Sequence, residues 1–397
     1  MISVTEAEQI ILKNLICFPV VSIPLEKAYG AILREDIFAD RDLPPFNKAL
    51  MDGIAIKSDA FVKGTHQFTI EGIQPAGQKQ SALKSDQGCI EIMTGAVLPK
   101  GCDAVIPIEG VEIKNNKAFI KNDVEIKKGQ SIQPQGWEHK KGERLLQFGD
   151  LLNPVRIGIA ANVGKSKLKV SYKPRVAIIS TGDELVNINA KIKPFQIRKS
   201  NSYALQAAFT KTNLFETGLF HINDDKIALR KKLAQILKKF DVLVLSGGVS
   251  MGKFDFIPEV MKELGVKVVF HKVAQRPGKP FWFGKYKNRK LVFALPGNPV
   301  STLVCAYRYA IPQLKRALGV SEQQSHAILN HDCSASSKLT SFMPVTIIKE
   351  HGQLNAHPVS IAGSGDFAHL SQSDGFVELP IGKNEYKKGS IVKLFLW

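Results

Sequence analysis

Two adjacent carboxylates, Asp183 and Glu184, follow Ser180-Thr181-Gly182 at the end of the apolar run Val176-Ala177-Ile178-Ile179. Four apolar residues are too few for a helix, and the polar break after them reads as the carboxyl end of a buried parallel strand. Open α/β sheets bind ligands at that end. Gly182 lets the backbone approach a ligand, and the paired carboxylates offer hard oxygen ligands to a divalent cation beside the hydroxyls of Ser180 and Thr181. A plain helix N-cap has the same letters, so the chemistry has to be judged with the neighbouring turns.

Two more turns follow apolar strands. Val242-Leu243-Val244-Leu245 opens into Ser246-Gly247-Gly248-Val249-Ser250, whose N–H groups and hydroxyls can face an anion, helped by the partial positive charge of a nearby helix start. Leu291 to Leu295 opens into Pro296-Gly297-Asn298-Pro299-Val300-Ser301, which sets Ser301 at a helix start. Between them, Lys272, Arg276 and Lys279 lie in Lys-Val-Ala-Gln-Arg-Pro-Gly-Lys-Pro, a stretch that cannot form a regular helix and so holds its cations on a stiff loop. A planar guanidinium fork with point-charge ammonium groups suits phosphate or another tetrahedral oxyanion. Asp255, just past the glycine turn, is either a helix cap or a metal ligand, and the sequence alone favours the cap.

Other chemistries are excluded or unsupported. No G-x-x-x-x-G-K-[ST] loop and no G-x-G-x-x-G after a strand occurs, so neither a nucleotide-hydrolysing P-loop nor a dinucleotide fold is indicated. The histidines never fall at metal-ligand spacing, and no Ser-His-Asp or Cys-His pairing can be argued. Five scattered cysteines without a C-x-x-C pair fit reduced, structural thiols. Met51-Asp52-Gly53 and Met93-Thr94-Gly95 each set one polar side chain beside a glycine, as ordinary β-turns also do.

The elements that must position these residues can be read in order. Ser3-Val4-Thr5-Glu6 has the form of a capping box and opens an amphipathic helix with Ala7, Ile10, Ile11 and Leu15. A second short helical pattern covers Leu25 to Leu33, and Pro44-Pro45 marks a domain crossing. From about Met51 to Trp137, short alternating runs divided by glycines read as a β-rich domain. An apolar helical stretch runs from Val155 to Val163. Strand-turn-helix units then alternate: Val176 to Ile179, a helix around Ser202 to Thr210, a helix from Asp225 to Phe240, and strands at Val242 to Leu245, Val266 to Phe270 and Leu291 to Leu295. Such alternation implies a parallel sheet covered on both faces. From His326 onward the pattern is strands again.

The expected architecture is therefore multidomain α/β plus β. A central doubly wound parallel sheet domain (173–322) carries a β-rich inserted domain (45–138), a discontinuous helical and mixed N-terminal domain (1–44 with 139–172) and a C-terminal β-barrel-like domain (323–397). A chain of 397 residues is long enough for several cores. Its net charge of +18 comes mostly from lysines spread along the whole length, with no basic stripe interleaved with aromatics, so nucleic acid is not the expected partner. Neither a bilayer-length apolar run nor a signal-peptide pattern is present, and a cytoplasmic location is expected.

Pro45-Phe46 with Met51-Asp52-Gly53, Met93-Thr94-Gly95-Ala96, Gly101-Cys102-Asp103-Ala104-Val105, Ser180-Thr181-Gly182-Asp183-Glu184-Leu185, Ser246-Gly247-Gly248-Val249-Ser250, Pro277-Gly278-Lys279-Pro280 and Leu295-Pro296-Gly297-Asn298-Pro299-Val300-Ser301 form an ordered set. The set resembles the motifs of the molybdopterin molybdenumtransferase family, MoeA, also seen in the E domain of gephyrin. The resemblance spans nearly the whole chain. It implies an elongated homodimer of four-domain subunits that takes adenylylated molybdopterin and molybdate, inserts the metal at the dithiolene and releases AMP with Mg2+ bound. Carried over, Asp183, Glu184, Asp224 and Asp255 would hold the cation or a pyrophosphate-linked ligand. Ser246, Gly247, Gly248 and Ser250 would cradle phosphate, with Pro296, Gly297 and Asn298 beside them. Lys272, Arg276, Lys279 and Ser301 would neutralise molybdate or pterin phosphate, and Asp52 and Thr94 would reach in from a partner subunit. Molybdopterin adenylyltransferase and molybdoenzymes would be protein partners.

The chain also departs from the family pattern. Lys48-Ala49-Leu50 stands where Asn-Ser-Ala is usual, and Ile54 where a tyrosine is usual. Gln133-Pro134-Gln135-Gly136-Trp137-Glu138 keeps a carboxylate but lacks an arginine, and none occurs near Ser341-Phe342-Met343-Pro344, where one is expected. Arg276 stands where lysine is common. Those losses motivate a second reading, a catalytically weakened paralogue acting as a molybdopterin-binding scaffold.

Overall fold

In the strand Arg175–Thr181, neighbouring side chains enter different cores. Val176 and Ile178 pack with Leu205 and Phe209 of the helix Asn201–Lys211. Ala177 and Ile179 pack with Leu229, Leu233, Ile236 and Leu237 of the helix Lys226–Lys239. Burial on both faces is why this strand is an unbroken apolar run instead of an alternating one. These details come from a computed structural model, which describes residues 1–249, 255–320 and 322–397. The chain forms two compact units, one of Met1–Glu35, Phe148–Pro154 and Lys167–Trp397, the other of Asp36–Gln147 and Val155–Ser166.

The sheet of the first unit has six strands, in the order Glu216–Ile222, Arg175–Thr181, Val242–Ser246, Lys290–Leu295, Trp282–Tyr286 and Val266–His271. The first four are parallel, and the last two add antiparallel pairings at one side. The sheet is thus doubly wound, with two strands that sequence reading did not find. Glu216–Ile222 lies at an edge and is only partly buried, so its Glu-Thr-Gly-Leu-Phe-His-Ile letters lack the apolar run of a central strand. The expected helix over Leu25 to Leu33 is only a 3-10 turn at Leu25–Lys27, which Gly30, at φ +74°, follows. Before it, Val20–Pro24 pairs with Lys167–Ser171.

Behind His326, five strands close on themselves. Thr340–Glu350, Gln353–Pro358, His326–Leu329, Ile391–Leu396 and Gly375–Leu379 pair in sequence, and the last pairs back with the first. The expected C-terminal barrel is present.

The capping box forms as read: Glu6 N–H donates to Ser3 Oγ, and Ser3 N–H donates to Glu6 Oε2. The helix it starts, Val4–Lys13, is tied to the rest of its unit by a buried guanidinium. Arg308 is 3% exposed; its Nε donates to Glu378 Oε2 at 2.6 Å and its Nη2 to Glu8 Oε2 at 2.9 Å. One side chain thus joins the N-terminal helix, the helical run behind the sheet and the barrel strand Gly375–Leu379.

The second unit is β-rich, as expected. Its sheet runs Ala104–Pro107, Gly53–Ile56, Gly88–Ile92, Gln67–Gln74, Lys117–Ile120 and Val111–Lys114. Cys89, Cys102, Cys305 and Cys333 are buried free thiols, and burial pushes the first three up to about 12, which suits structural cysteines. Among the described residues, no helix is long and apolar enough to cross a membrane.

Removing one partner of a buried pair leaves the other charge uncompensated. Arg308→Leu is expected to destabilise the protein by about 3–5 kcal/mol in urea unfolding at neutral pH. Burial works to raise the Glu8 carboxyl, but the Arg308 guanidinium prevails and holds it below the ordinary value. Its contribution should therefore be full above the unfolded carboxylate pKa of about 4.3 and fade as pH falls through the lowered folded value. The gap between wild type and Glu8→Gln should narrow over that acid range.

Candidate active site

The parallel strands end in step. Ser180 lies opposite His221 on one side and Ser246 on the other, and Ser246 lies opposite Leu295. The turns after Thr181, Ile222, Ser246 and Leu295 therefore leave from one edge of the sheet. From Arg175–Thr181 the chain moves to Glu216–Ile222 on one side and returns to Val242–Ser246 on the other, so the connection reverses between Thr181 and Ser246. Such a reversal point is where open α/β sheets receive ligands, and here the acidic and glycine turns flank it.

Asp224 N–H donates to Asp183 Oδ1 at 3.1 Å, joining two of the predicted acids. Burial, and then the charges of Asp183, Glu184 and Asp255, push the Asp224 carboxyl above its ordinary value. All four predicted acids thus share one electrostatic field. Among the described residues, no group of three or more His, Cys, Asp or Glu side chains is arranged to hold a metal ion. Hard carboxylate oxygens near one another still fit magnesium, which keeps several waters and takes only one or two carboxylates plus substrate phosphates. Asp255 is not the helix cap that the sequence favoured: the helix Ile257–Glu263 has Phe256 at its N-cap, with no side-chain cap bond.

The glycine turn is held by a residue that sequence reading missed. Asn201 Nδ2 donates to Ser246 Oγ at 3.0 Å, Gly297 O at 2.6 Å and Thr302 Oγ1 at 3.2 Å. It thus clamps the turns of two strands to the start of its own helix. Thr302 Oγ1 donates to Pro296 O at 2.6 Å, fixing the Pro-Gly-Asn-Pro turn from within. Asn201 sits in no motif, and its partners come from segments far away in the sequence, so nothing local signalled this role. Gly247 and Gly248 have φ of +98° and +65°, a region costly for residues with a Cβ, and a Cβ on Gly297 would stand 3.4 Å from Gly247 Cα. Asn298 is exposed and donates to Ser364 Oγ, whereas Ser301 is 3% exposed, one turn into its helix. Ser250 lies outside the described residues.

Val266–His271 runs in the same direction as the parallel strands and ends on their edge, where His271 Nε2 stands 3.2 Å from Val249 O. Lys272 follows it. The cationic loop is folded around buried Gln275, whose Nε2 donates to Pro277 O and Gly278 O while Tyr309 Oη donates to its Oε1. Arg276 and Lys279 are left exposed on this rigid base, and among the described residues neither forms an ion pair. Arg276 pairs in register with Ser341 of the barrel strand Thr340–Glu350. The missing arginine of that strand thus faces an arginine on the neighbouring backbone.

His221 and Lys199 were also missed. His221 Nδ1 lies 3.1 Å from Ser180 Oγ, and burial, followed by the charge of Lys199, lowers its pKa against the opposing pull of Glu184 and Asp183. Lys199 donates to Asn187 Oδ1 at 2.7 Å, and burial lowers its pKa too.

In the other unit, two motifs that read as separate turns are one. Thr94 donates from its backbone N–H at 2.6 Å and its hydroxyl at 2.8 Å to Asp52 Oδ1, which holds this exposed carboxyl below its ordinary value. Gly95 N–H donates to Ala49 O, which brings the altered Lys48-Ala49-Leu50 stretch alongside. Gln133 Nε2 donates to Glu138 Oε1, so the retained carboxylate is hydrogen-bonded within its own turn.

Family models match the chain almost end to end. Residues 2–164 match the MoeA N-terminal region (domain I and II), 177–316 the "Probable molybdopterin binding domain" and 326–397 the MoeA C-terminal region (domain IV). A molybdopterin molybdenumtransferase from Synechocystis sp. is 37% identical over 399 residues, covering 100% of both chains. One from Staphylococcus aureus is 32% identical over 412 residues, covering 100% of this chain and 95% of its own. Among solved structures, a molybdopterin biosynthesis moea protein from Pyrococcus horikosii superposes with a TM-score of 0.85 at 31% identity, covering 100% of this chain and 99% of that one. A second, from Pyrococcus horikoshii OT3, gives 0.83 at 27%, with full coverage of both.

Asn201→Ala removes the donor shared by Ser246, Gly297 and Thr302, while the two hydroxyls keep each other as partners; it is expected to cost about 0.5–1.5 kcal/mol in urea unfolding. For Asp224 the sign is opposite. A raised folded pKa in an acid means that stability is lost as pH rises through the unfolded value of about 3.9. Asp224→Asn should therefore raise the melting temperature at neutral pH without added cation, and the gain should vanish below about pH 4.

Proposed function

Because the chain belongs to the molybdopterin molybdenumtransferase family and so acts as a transferase in molybdenum cofactor biosynthesis, we propose that it transfers molybdate to adenylylated molybdopterin with release of AMP. The observation that carries this reading is the meeting of the acidic turn, the glycine turn and the Pro-Gly-Asn-Pro turn at the reversal point of one parallel sheet. Both substrates are anions, so the chain's task is to gather like charges and hold them in reacting geometry.

The glycine turn, with Ser246 held by Asn201, would cradle phosphate through backbone N–H groups. Lys272, Arg276 and Lys279 would offset the charge of molybdate and of the pterin phosphate, Arg276 by its planar fork and the lysines as point charges. Asp183, Glu184, Asp224 and Asp255 would hold Mg2+, which when bound supplies charge neutralisation and orientation at a phosphate. Asp52, fixed by Thr94, would be offered by a partner copy in a homodimer with a shared site. The four-part division of the chain at 1–44 with 139–172, 45–138, 173–322 and 323–397, a cytoplasmic location, and molybdopterin adenylyltransferase and molybdoenzymes as protein partners belong to the same proposal. The scaffold reading is not favoured: the acidic, glycine and Pro-Gly-Asn-Pro motifs are intact in the sequence, and the relatives matched over the full length are named as transferases.

Incubation with adenylylated molybdopterin, molybdate and Mg2+ should yield AMP by chromatography and a molybdenum-loaded pterin product. Well-folded protein that gives neither would reject the proposal. Asp255→Ala should lower the AMP yield at least about tenfold with unfolding cooperativity retained, as loss of an electrostatic group acting on reacting anions does. Parallel loss of both would make Asp255 a structural residue.

A further inference from the structure

Thr181 ends the strand Arg175–Thr181 and is 4% exposed. It stands directly against the glycine turn. A methyl group on Gly247 would come within 2.9 Å of Thr181 O and 3.2 Å of its Oγ1, and one on Gly248 within 2.9 Å of the same hydroxyl. The hydroxyls beside it have partners: that of Ser180, the preceding residue, is 3.1 Å from His221 Nδ1, and Ser246 Oγ on the next strand accepts from Asn201. Thr181 Oγ1 is buried with no hydrogen-bond partner among the described residues. Buried hydroxyls are nearly always paired, and an orphan calls for a reason. Packing does not supply one, because valine has the same shape, suits a strand as well and brings no polar atom to bury.

We propose that Thr181 is a positioning residue for the anion site, its unpaired hydroxyl destabilising the empty glycine turn and gaining a partner when the turn rearranges around a phosphate group. The inference rests on the family reading of that turn. A ligand shifts a conformational equilibrium only by its differential affinity for the two states. The orphan hydroxyl supplies such a difference, since it penalises the empty arrangement alone. Gly247 and Gly248 can reorient their peptide groups without a Cβ in the way, and the hydroxyl already lies within reach of both.

Thr181→Val and Thr181→Ser separate the hydroxyl from the shape. In the full-length protein without ligand, the valine variant is expected to melt at a higher temperature than wild type. Its affinity for AMP, by calorimetry with Mg2+ present, should fall about tenfold, and its affinity for inorganic phosphate should fall in the same proportion. The serine variant should stay near wild type in both. Unchanged AMP affinity in Thr181→Val, or a lower melting temperature without ligand, overturns the proposal. Loss for AMP but not for phosphate overturns the assignment to the phosphate group. Wild type that binds neither probe removes the family reading of the turn, whereas wild type and valine variant binding alike remove this inference alone.

Discussion

The parallel register of the central sheet is the constraint on which the candidate site depends. Ser180, His221, Ser246 and Leu295 stand level across adjacent strands, so turns far apart in the chain leave from one edge. A slip of one residue would exchange Val176 and Ile178 with Ala177 and Ile179 between the two cores. Both sets are apolar, so polarity alone would not forbid the slip. Volume does, because the helices Asn201–Lys211 and Lys226–Lys239 pack against side chains of particular size, and interiors at crystal-like density tolerate such exchange badly. Asn201 adds a polar lock at the edge, since its three acceptors come into range together only in this alignment.

That edge is built to be electrically incomplete. Burial and the charges of Asp183 and Glu184 raise the cost of ionising Asp224, and among the described residues none of the three meets a lysine or arginine in an ion pair. Among the described residues, Arg276 and Lys279 form no ion pair with a carboxylate either. Elsewhere the chain pairs its charges closely, as Arg308 does with Glu8 and Glu378. Carboxylates and cations left without such partners are the arrangement that the proposed binding of a cation and anionic groups would require. The same arrangement is a standing cost to the empty protein.

Much of this was legible in the letters, for physical reasons. Strands buried on both faces write themselves as apolar runs, and a turn that must bring backbone to a ligand writes itself as glycine, so the Asp183-Glu184 and Gly247-Gly248 turns stood out. The capping box at Ser3 and Glu6 is a local device and was readable locally. What escaped depends on distant partners. Asn201 and His221 are one residue each, with no motif around them, and their roles exist only once Gly297 and Ser180 arrive from elsewhere in the chain. Glu216–Ile222 escaped because an edge strand is half covered and needs no apolar run. The helix expected over Leu25 to Leu33 failed because apolar spacing over one turn is weak against a left-handed glycine at Gly30.

The departures from the family pattern look different once the backbone is placed. Counted as letters, the absence of arginine near Ser341 thins the cationic lining. In the fold, Gln275–Arg276 is itself a strand paired with Thr340 and Ser341, so a guanidinium is anchored beside that strand from its neighbour. A binding surface requires charge at a place, whichever segment carries it there. Arg276, where lysine is common, adds a fork able to grip two oxygens at once. Lys48 acts in the same direction, since it sits on the short strand Lys48–Ala49 that also bonds to Gly95, beside the Asp52–Thr94 pair. Both changes place positive charge beside residues that the proposed function assigns to the site. Within each unit the cationic charge is thus relocated rather than lost, which is the physical reason to prefer the transferase reading over the scaffold one.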